Sequence, residues 1–346
     1  MKNNLTISDI ARIAGVSKTT VSFVLNNKDG ISEETRKKVL TVIEQTNYKP
    51  TLNSKRFYFQ KSFTIAIVFD KSTYRSDNLF YFDIMNTLLK RCTSYNYSLV
   101  YSEYSYVNEE LTLPESIMNK DIDGLLFLKD IPLALISTLH QLDIPFVVAD
   151  DHSDHASLYT VKVDYRLAAY TAVQYLIEQG HQRIGFIGNM LLPSFYAQIF
   201  SGYQKALREA GLPLELSWSF EKVHNRETVE LYISRLLKEK ELPTAIFCME
   251  DILAIELIRY LQKCAVKVPD DISIISIDDI ILSNQIYPSL TTIAIDKEKI
   301  GSCAIDMLMD LINGKVPENV VVSSNNIVVR ESVKSLHAHQ APLPQK

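Results

Sequence analysis

A short segment near the amino terminus carries side chains that can bind nucleic acid. Apolar residues recur in it at helical spacing, at Val21, Val24 and Leu25. If these face the interior of a helix, the side chains between them face outward: Lys18, Thr19, Ser22 and Phe23. Lysine and hydroxyl groups suit phosphates and base edges, and an exposed phenylalanine can contact a thymine methyl group. The segment therefore favours DNA binding over ordinary amphipathic packing.

Acidic and amide side chains come directly after five apolar runs further along the chain. They are Asp70, Asp150, Asn189, Glu250 and Asp278. In parallel sheets ligands bind beyond the carboxyl ends of the strands, so these side chains would converge on one cleft. Such oxygen acceptors suit a polyhydroxylated ligand, with Phe80, Tyr81 and Trp218 as apolar walls. The alternative is that Asp and Asn simply favour the turns that follow strands.

The sequence contains no recognisable catalytic or metal-binding motif. It contains no GxxxxGK(S/T), GxGxxG or GxSxG motif, so we predict neither an enzyme nor a bound cofactor. The nearest approach to a metal cluster is Asp150, Asp151, His152 and His155, whose spacing fits no standard site and predicts a solvated turn. Four widely spaced cysteines without a CxxC pair indicate buried thiols in a reducing cytoplasm.

Three short helices over residues 6–47 would position the nucleic-acid segment. Thr6 is a candidate N-cap for the first helix, in which Ile10, Ile13 and Ala14 share one face. Gly15 marks a tight turn, and Ser17 and Ser32 are candidate caps of the second and third helices. Helix, glycine-containing turn and second helix form the helix-turn-helix arrangement, whose second helix enters the major groove of DNA.

The rest of the chain alternates short apolar runs with longer helical stretches. The runs are residues 64–69, 124–128, 145–149, 183–188, 244–249 and 272–277. The helical stretches are about 80–95, 132–142, 165–179, 194–210, 226–239, 251–264 and 297–313. This alternation predicts parallel sheets with helices on both faces. A break near residue 162 divides the pattern into two doubly wound lobes.

The charge of the chain is divided between these two regions. The net charge of −5 combines +6 over residues 1–61, where eleven Lys and Arg meet five Asp and Glu, with −11 over the remainder. A basic head on an acidic body indicates a polyanion-binding module joined to a second unit. No apolar run approaches the 18–20 residues of a membrane helix, and the amino terminus lacks the apolar region of a signal peptide, so no membrane partner is expected.

Two strings in the head, TISDIARIAGVSKTTVSFVLN (6–26) and ISEETRKKVLTVIEQTNYKP (31–50), resemble the DNA-binding head of the LacI/GalR family of bacterial transcription regulators. The resemblance implies that Lys18, Thr19 and Phe23 read bases. It further implies phosphate contacts from Thr6, Ser17, Thr20, Ser22, Asn26 and Tyr48. In the family the following linker is a hinge helix whose leucine wedges between base steps of the minor groove, and Phe57 occupies that position here.

The body resembles the family's effector domain, which is similar to periplasmic sugar-binding proteins, most clearly over residues 175–188 and 271–279. The resemblance implies an effector cleft at Phe80, Tyr81, Asp150, Ile199, His224, Glu250 and Asp278. Three of these depart from the family pattern. Ile199 stands in place of a frequent effector-binding arginine, Glu250-Asp251 replaces an Asn-Asp pair, and His224 falls where an aromatic residue is common. The pocket is therefore expected to be more apolar than usual, which weighs against an ordinary sugar.

We therefore predict a small all-α helix-turn-helix domain followed by an α/β body of two doubly wound parallel-sheet lobes, like a periplasmic binding protein. The domains are 1–50 for DNA binding, 51–62 for the hinge, 63–335 for effector binding and dimerisation, and 336–346 as a disordered tail. The lobes span about 63–162 and 163–290, with the chain crossing back after 290.

The predicted function is that of a cytoplasmic, homodimeric transcription regulator, most simply a repressor. It would bind a pseudo-palindromic operator in double-stranded DNA, with an affinity set by a small, carbohydrate-related molecule between the lobes. The alternatives are control by a protein partner or by a non-sugar metabolite. An α/β enzyme fused to a DNA-binding head is disfavoured because no nucleophile–base set is evident.

Overall fold

The computed structural model describes residues 5–25, 30–46, 48, 61–71, 79–153, 155–223 and 225–337. The predicted site residues Asn26, Phe57 and His224 lie outside the described residues. Residues 51–60 of the predicted hinge and 338–346 of the predicted tail lie outside them as well.

Three helices form the amino-terminal unit: α1 Ile7–Ala14, α2 Lys18–Leu25 and α3 Glu33–Thr46. A capping box starts α1, since the Thr6 hydroxyl accepts the Asp9 amide and the Asp9 carboxylate accepts the Thr6 amide at 2.9 Å. Gly15 ends α1 with a φ of 63°, a left-handed conformation that glycine adopts without a steric penalty. The sharp turn into α2 gives the predicted helix-turn-helix.

One apolar cluster holds this head together. The stripe that α1 buries consists of Ile7, Ile10, Ala11 and Ala14, and it packs against Val21, Val24, Val39 and Val42 of the other two helices. The prediction that Ile13 shares this face is wrong, because Ile13 lies to one side of the stripe and is 50% exposed. The described part of the head is therefore a small folded unit with its own core.

The body has thirteen strands and eight helices in its described part. In chain order, the first half contains β1 Thr64–Asp70, α4 Leu79–Ser94, β2 Ser98–Val107, β3 Glu110–Thr112, α5 Glu115–Met118, β4 Gly124–Leu128, α6 Leu133–Leu142, β5 Phe146–Ala149 and β6 Thr160–Val163. The second half contains α7 Tyr165–Glu178, β7 Ile184–Ile187, α8 Pro193–Glu209, β8 Ser219–Phe220, α9 Arg226–Leu236, β9 Ala245–Cys248, α10 Asp251–Lys263, β10 Ser273–Asp278 and β11 Thr291–Ala294. The last elements are α11 Lys297–Ile312, β12 Val320–Val322 and β13 Asn326–Val328.

These strands form two sheets, each the centre of one lobe. The order is β12-β6-β5-β4-β1-β2-β3 in the first sheet and β13-β11-β10-β9-β7-β8 in the second. All neighbouring strands are parallel except the pairs β2 with β3 and β11 with β13, which lie at sheet edges. We call the first sheet with its helices lobe one and the second lobe two. The predicted fold of a helix-turn-helix head and two α/β lobes is confirmed.

Helices cover both faces of the sheet in lobe one. Ile65 and Ile67 of β1 pack in one cluster with α4 and α11, whereas the alternate residues Ala66 and Val68 pack with α5 and α6. Successive residues of a strand point to opposite faces, so a strand with helices on both sides must be apolar throughout. This is why β1 is an uninterrupted apolar run.

The helices of lobe two approach each other closely at a glycine. A Cβ atom on Gly202 of α8 would lie 2.3 Å from the carbonyl oxygen of Arg166 and 2.8 Å from the Cβ of Ala169, both on α7. Only glycine leaves room for this approach. The contact holds α8 against the first turns of α7.

The chain passes between the lobes more often than we predicted. Because β11 belongs to the second sheet, the chain leaves lobe two after Ala294 rather than at residue 290. It builds α11 and β12 in lobe one and then returns to lobe two as β13. At the end of the described chain, the Leu336 amide donates to the carbonyl of Gln179 and His337 contacts that of Glu178. Residues 336 and 337, which the sequence analysis placed in a disordered tail, are therefore hydrogen-bonded to the carboxyl-terminal end of α7.

Within the part of the chain that the structure describes, every helix is too short or too polar to cross a membrane.

Candidate DNA-binding surface and ligand cleft

The second helix of the head presents the predicted base-reading side chains. Lys18 and Thr19, in its first turn, are exposed, and Phe23 one turn later is half-buried. A helix of a helix-turn-helix places such residues in the major groove, where Lys and Thr can bond base edges or phosphates. The geometry thus presents Lys18 and Thr19 fully to a partner and Phe23 in part.

Hydroxyl groups hold the start of this helix. The Ser17 hydroxyl accepts the Thr20 amide at 3.0 Å and lies 2.9 Å from the Thr20 hydroxyl. These bonds satisfy amide groups that a helix terminus leaves unpaired. Thr6 does the same for α1. Of the predicted phosphate-binding residues, Thr6 and Ser17 therefore have a capping role in the protein itself, and the Thr20 hydroxyl bonds the capping hydroxyl of Ser17.

Two other predicted DNA-contacting residues are buried. The prediction that Ser22 points outward is wrong, since it is only 8% exposed. Both α1 and α3 pack against α2, so the exposed strip of α2 is narrower than its apolar residues alone indicate. The ring of Tyr48 lies in the apolar core of the head. In this structure both side chains are covered by the protein.

The ligand cleft begins where strands of the two sheets end. Lys129 follows β4, Asp150 follows β5, and Asp278 is the last residue of β10. Their φ angles are 76°, 59° and 128°, all in the left-handed region that residues other than glycine rarely adopt. Such conformations cost about 1–3 kcal/mol each and concentrate at functional sites. The strand ends of both lobes therefore share a backbone conformation with positive φ.

Asp150 is the most enclosed carboxylate of the cleft, with 1% exposure. It accepts the hydroxyl of Tyr81 at 2.5 Å and that of Tyr165 at 2.7 Å. Burial alone would raise the pKa of Asp150, but His152 and the two tyrosines outweigh burial and hold it below its usual range. Tyr81 belongs to α4 of lobe one and Tyr165 opens α7 of lobe two. The charged Asp150 therefore bridges the lobes.

Glu250 and Asp278 differ from Asp150 because the protein supplies no donor to their carboxylates among the described residues. Glu250 is the residue before α10 and does not cap it, and Asp278 is 7% exposed. Burial and the neighbouring carboxylates raise the pKa of Asp278, and burial raises that of Glu250 against the opposing effects of Lys129 and His152. Asp278 is buried and Glu250 is half-buried, and with no donor from the described residues these carboxylates suit a ligand rich in donors.

Two ammonium groups lie over the aromatic walls. The Nζ of Lys129 is 5.0 Å from the ring centroid of Tyr81, and that of Lys297 is 5.5 Å from that of Phe80. Lys297 also donates to the backbone carbonyls of Asp278, at 2.5 Å, and of Asp279. The rings of Phe80 and Tyr81 meet edge to face at 5.1 Å. The cleft is thus lined by carboxylates, ammonium groups and aromatic rings together.

The carboxylate of Asp251, next to Glu250, is fully hydrogen-bonded within the protein. It accepts the hydroxyls of Ser276, Ser283 and Thr292 at 2.5–2.6 Å and the Ile280 amide at 3.0 Å. This network ties the start of α10 to β10 and β11. It therefore fixes the strand end that carries Asp278.

Several residues lie elsewhere than the sequence indicated. Ile199 is fully buried in α8, and Asn189 bonds the Leu191 amide as a turn residue. Trp218 cannot line the cleft as predicted, because it precedes β8 and its indole donates to the carbonyl of Glu241. The solvated turn predicted at Asp150, Asp151 and His152 is wrong, since all three are buried. Asp70, the last residue of β1, is half-buried.

Lys129, His152, Tyr165 and Lys297 are cleft residues that sequence reasoning missed. Lys129 follows the apolar run 124–128, so the strand-end rule that found Asp150 would have found it. Tyr165 has no such signal, because it bonds Asp150 from the other lobe, and His152 was grouped with Asp150 in the sequence but interpreted as part of a solvated turn. Among the described residues no group of His, Cys, Asp and Glu could hold a metal ion.

The comparisons with known proteins agree with this geometry. Residues 6–51 match the model of the bacterial regulatory proteins of the lacI family, and residues 173–333 match that of the periplasmic binding protein-like domain. The chain is 33% identical over 337 residues to the HTH-type transcriptional repressor PurR of Photobacterium profundum, covering 96% of this chain and 99% of that one.

Solved structures share the fold at lower identity. A lac repressor dimer bound to operator and the anti-inducer ONPF matches with a TM-score of 0.71 at 22% identity, covering 96% of this chain and 100% of that one. A complex of the transcriptional regulator CelR with cellobiose matches with a TM-score of 0.66 at 23% identity, covering 95% of this chain and 99% of that one.

Proposed function

The chain belongs to the lacI family of bacterial regulatory proteins, and we propose that it is a cytoplasmic, homodimeric repressor whose operator affinity is set by a small molecule between its lobes. The observation that carries the ligand part is the pair of carboxylates at the strand ends, Glu250 and Asp278, to which no described residue donates a hydrogen bond. The DNA part is supported by the exposed Lys18 and Thr19 on the second helix of a basic head.

Two heads in a dimer would each read one half of a pseudo-palindromic operator in the major groove. Lys18, Thr19 and Phe23 are proposed to contact bases. Thr6, Ser17, Thr20 and Asn26 are proposed to contact phosphates, and Phe57 to wedge into the central base steps. The burial of Ser22 and Tyr48 favours a structural role for these two residues.

The ligand is proposed to be a small polyhydroxylated compound related to carbohydrates. Its hydroxyl groups would donate to Glu250 and Asp278, while Phe80 and Tyr81 cover an apolar face. Among solved proteins of the same fold, CelR is in complex with cellobiose. A non-sugar metabolite with several donors is the second candidate, because Ile199 stands where the family frequently has an effector-binding arginine.

Binding between the lobes would change how they are arranged, because the cleft is lined from both sides. In the dimer this would shift the two hinge segments and lower operator affinity. A ligand can move this equilibrium only as far as its affinities for the two arrangements differ. The proposal therefore requires contacts from both lobes to the same ligand.

Selection of bound genomic fragments tests the DNA part of the proposal. We expect enrichment of a short pseudo-palindromic sequence, and the neighbouring genes would indicate the ligand class. A melting-shift panel of sugars, polyols and amino sugars then tests the ligand part. Fragments without a common sequence would contradict the DNA part. A stoichiometric protein partner combined with a flat panel would favour control by that partner instead.

A further inference from the structure

One buried histidine of the cleft, His152, has no proposed contact with DNA or with the ligand. His152 lies just after β5 of lobe one and is 8% exposed. Its backbone amide donates to the Asp130 carboxylate at 2.6 Å. Its ring nitrogens lie between two carboxylates, with Nδ1 3.4 Å from Asp130 and Nε2 3.6 Å from Asp150. The ring is therefore held by acidic groups of its own lobe.

Lobe two covers the other side of the same residue. The ring centroid of His152 lies 4.7 Å from that of Phe195 and 5.4 Å from that of Tyr165. The Gln198 side chain donates to the His152 carbonyl at 3.1 Å. Phe195 and Gln198 belong to α8 and Tyr165 to α7, so three side chains of lobe two converge on one residue of lobe one.

His152 and Asp150 form one unit across the cleft. Tyr165 donates its hydroxyl to the same Asp150 oxygen that the His152 ring approaches. Burial disfavours the charged ring, but Asp150 and Asp130 outweigh burial and raise the pKa of His152 to about 10. The two carboxylates therefore favour the protonated, positively charged ring.

We propose that His152 is the positioning residue that latches the two lobes together. Its positive charge fixes Asp150 where the Tyr165 hydroxyl reaches it, and its ring and carbonyl carry the remaining contacts to α8. The strength of this bridge would then set how readily the two lobes rearrange. The effect on the operator rests on the proposed function, whereas the bridge itself does not.

Hydrogen exchange of the full-length chain without ligand tests the latch. In His152→Ala we expect exchange at least tenfold faster in residues 150–153 and 193–199, with β9 and β10 unchanged. His155→Ala is the matched control, because its ring makes no hydrogen bond to the described residues. Tyr165→Phe removes one bridging hydroxyl and should accelerate exchange in the same segments by a smaller factor. This variant tests the latch if His152→Ala does not fold.

Operator affinity distinguishes a latch between the lobes from a residue that only supports the fold. On an operator obtained by fragment selection, His152→Ala should change affinity at least threefold without ligand, and His155→Ala should not. Unchanged exchange in 193–199, or acceleration spread equally over β9 and β10, would overturn the latch. If even the wild-type chain binds no selected operator, the proposed function fails while the exchange result still decides the latch.

Discussion

Carboxylates in and beside the cleft differ in what the protein provides for them. Asp150 accepts two tyrosine hydroxyls beside a charged histidine, and Asp251 accepts four donors from its own lobe. Glu250 and Asp278 receive no donor from the described residues. Because their oxygens keep free acceptor capacity, we expect the last two, one half-buried and one buried, to be where the donors of a ligand gain most by binding. We therefore expect identical chemical groups to divide between structural and ligand-binding roles.

Lys18 offers a direct test of the DNA surface at this scale. Lys18→Ala should weaken specific operator binding by roughly tenfold to a hundredfold and relax preference at one base pair, because a base contact contributes about 1–3 kcal/mol. Lys90→Ala, which removes an equal charge from the exposed face of α4, is the control and should have no effect. Competition binding against single-base operator variants measures both. An equal loss on all sequences would assign Lys18 to a phosphate instead.

His181 makes stability depend on pH in a defined interval. It is buried beside Thr244 and donates to the Lys334 carbonyl, and burial lowers its pKa from 6.5 to about 4. The unfolded chain therefore binds a proton between these values that the folded chain does not. Protonation of His181 in the unfolded chain therefore does not reduce the free energy of unfolding above pH 6.5. As the pH falls from 6.5 towards 4, it lowers the free energy of unfolding by about 3 kcal/mol.

Urea unfolding of wild type and His181→Gln at pH 7, 6, 5 and 4 measures this dependence. The variant should lose less stability than wild type over the interval, while His140→Gln on the surface of α6 should follow wild type. Parallel curves for wild type and His181→Gln would show that this histidine is not the titrating group.

At the scale of elements, Asp251 decides where α10, β10 and β11 meet. Asp251→Asn should lower the free energy of unfolding by about 3 kcal/mol, because an amide NH₂ would replace an oxygen that accepts the Ile280 amide or a hydroxyl. Ser276→Ala, which removes one donor and leaves the carboxylate, should cost about 1 kcal/mol. Denaturant midpoints measure both, and equal losses would contradict a network centred on the carboxylate.

Buried elements could be predicted from the sequence better than exposed ones. The runs at β1, β4, β5, β7, β9 and β10 are apolar because both faces of each sheet are covered. The long strand β2 lies near a sheet edge with most of its residues exposed or half-buried, so it has no comparable apolar run. Strand ends located Asp150, Glu250 and Asp278. Contacts between lobes, such as Tyr165 with Asp150, join distant segments and leave no local pattern.

On the scale of the whole molecule, the basic and acidic regions coincide with the regions proposed to bind DNA and ligand. The head carries +6 and exposes Lys18 on its second helix, whereas the body carries −11 and includes the cleft carboxylates. The two lobes of the body are joined by three chain crossings and by the contacts of Asp150 and His152. A ligand in the cleft therefore acts on the joint between two rigid sheets, which is the type of element that can transmit a change to the head.

Operator affinity with and without the ligand that gives the largest melting shift tests the central claim most directly. Fluorescence anisotropy of a labelled operator should show at least a tenfold weaker affinity when wild type is saturated with that ligand, a coupling of about 1.4 kcal/mol. Asp278→Asn should bind the operator like wild type without ligand and lose this response. Saturation of the cleft with no change in operator affinity would contradict a regulator controlled from between its lobes.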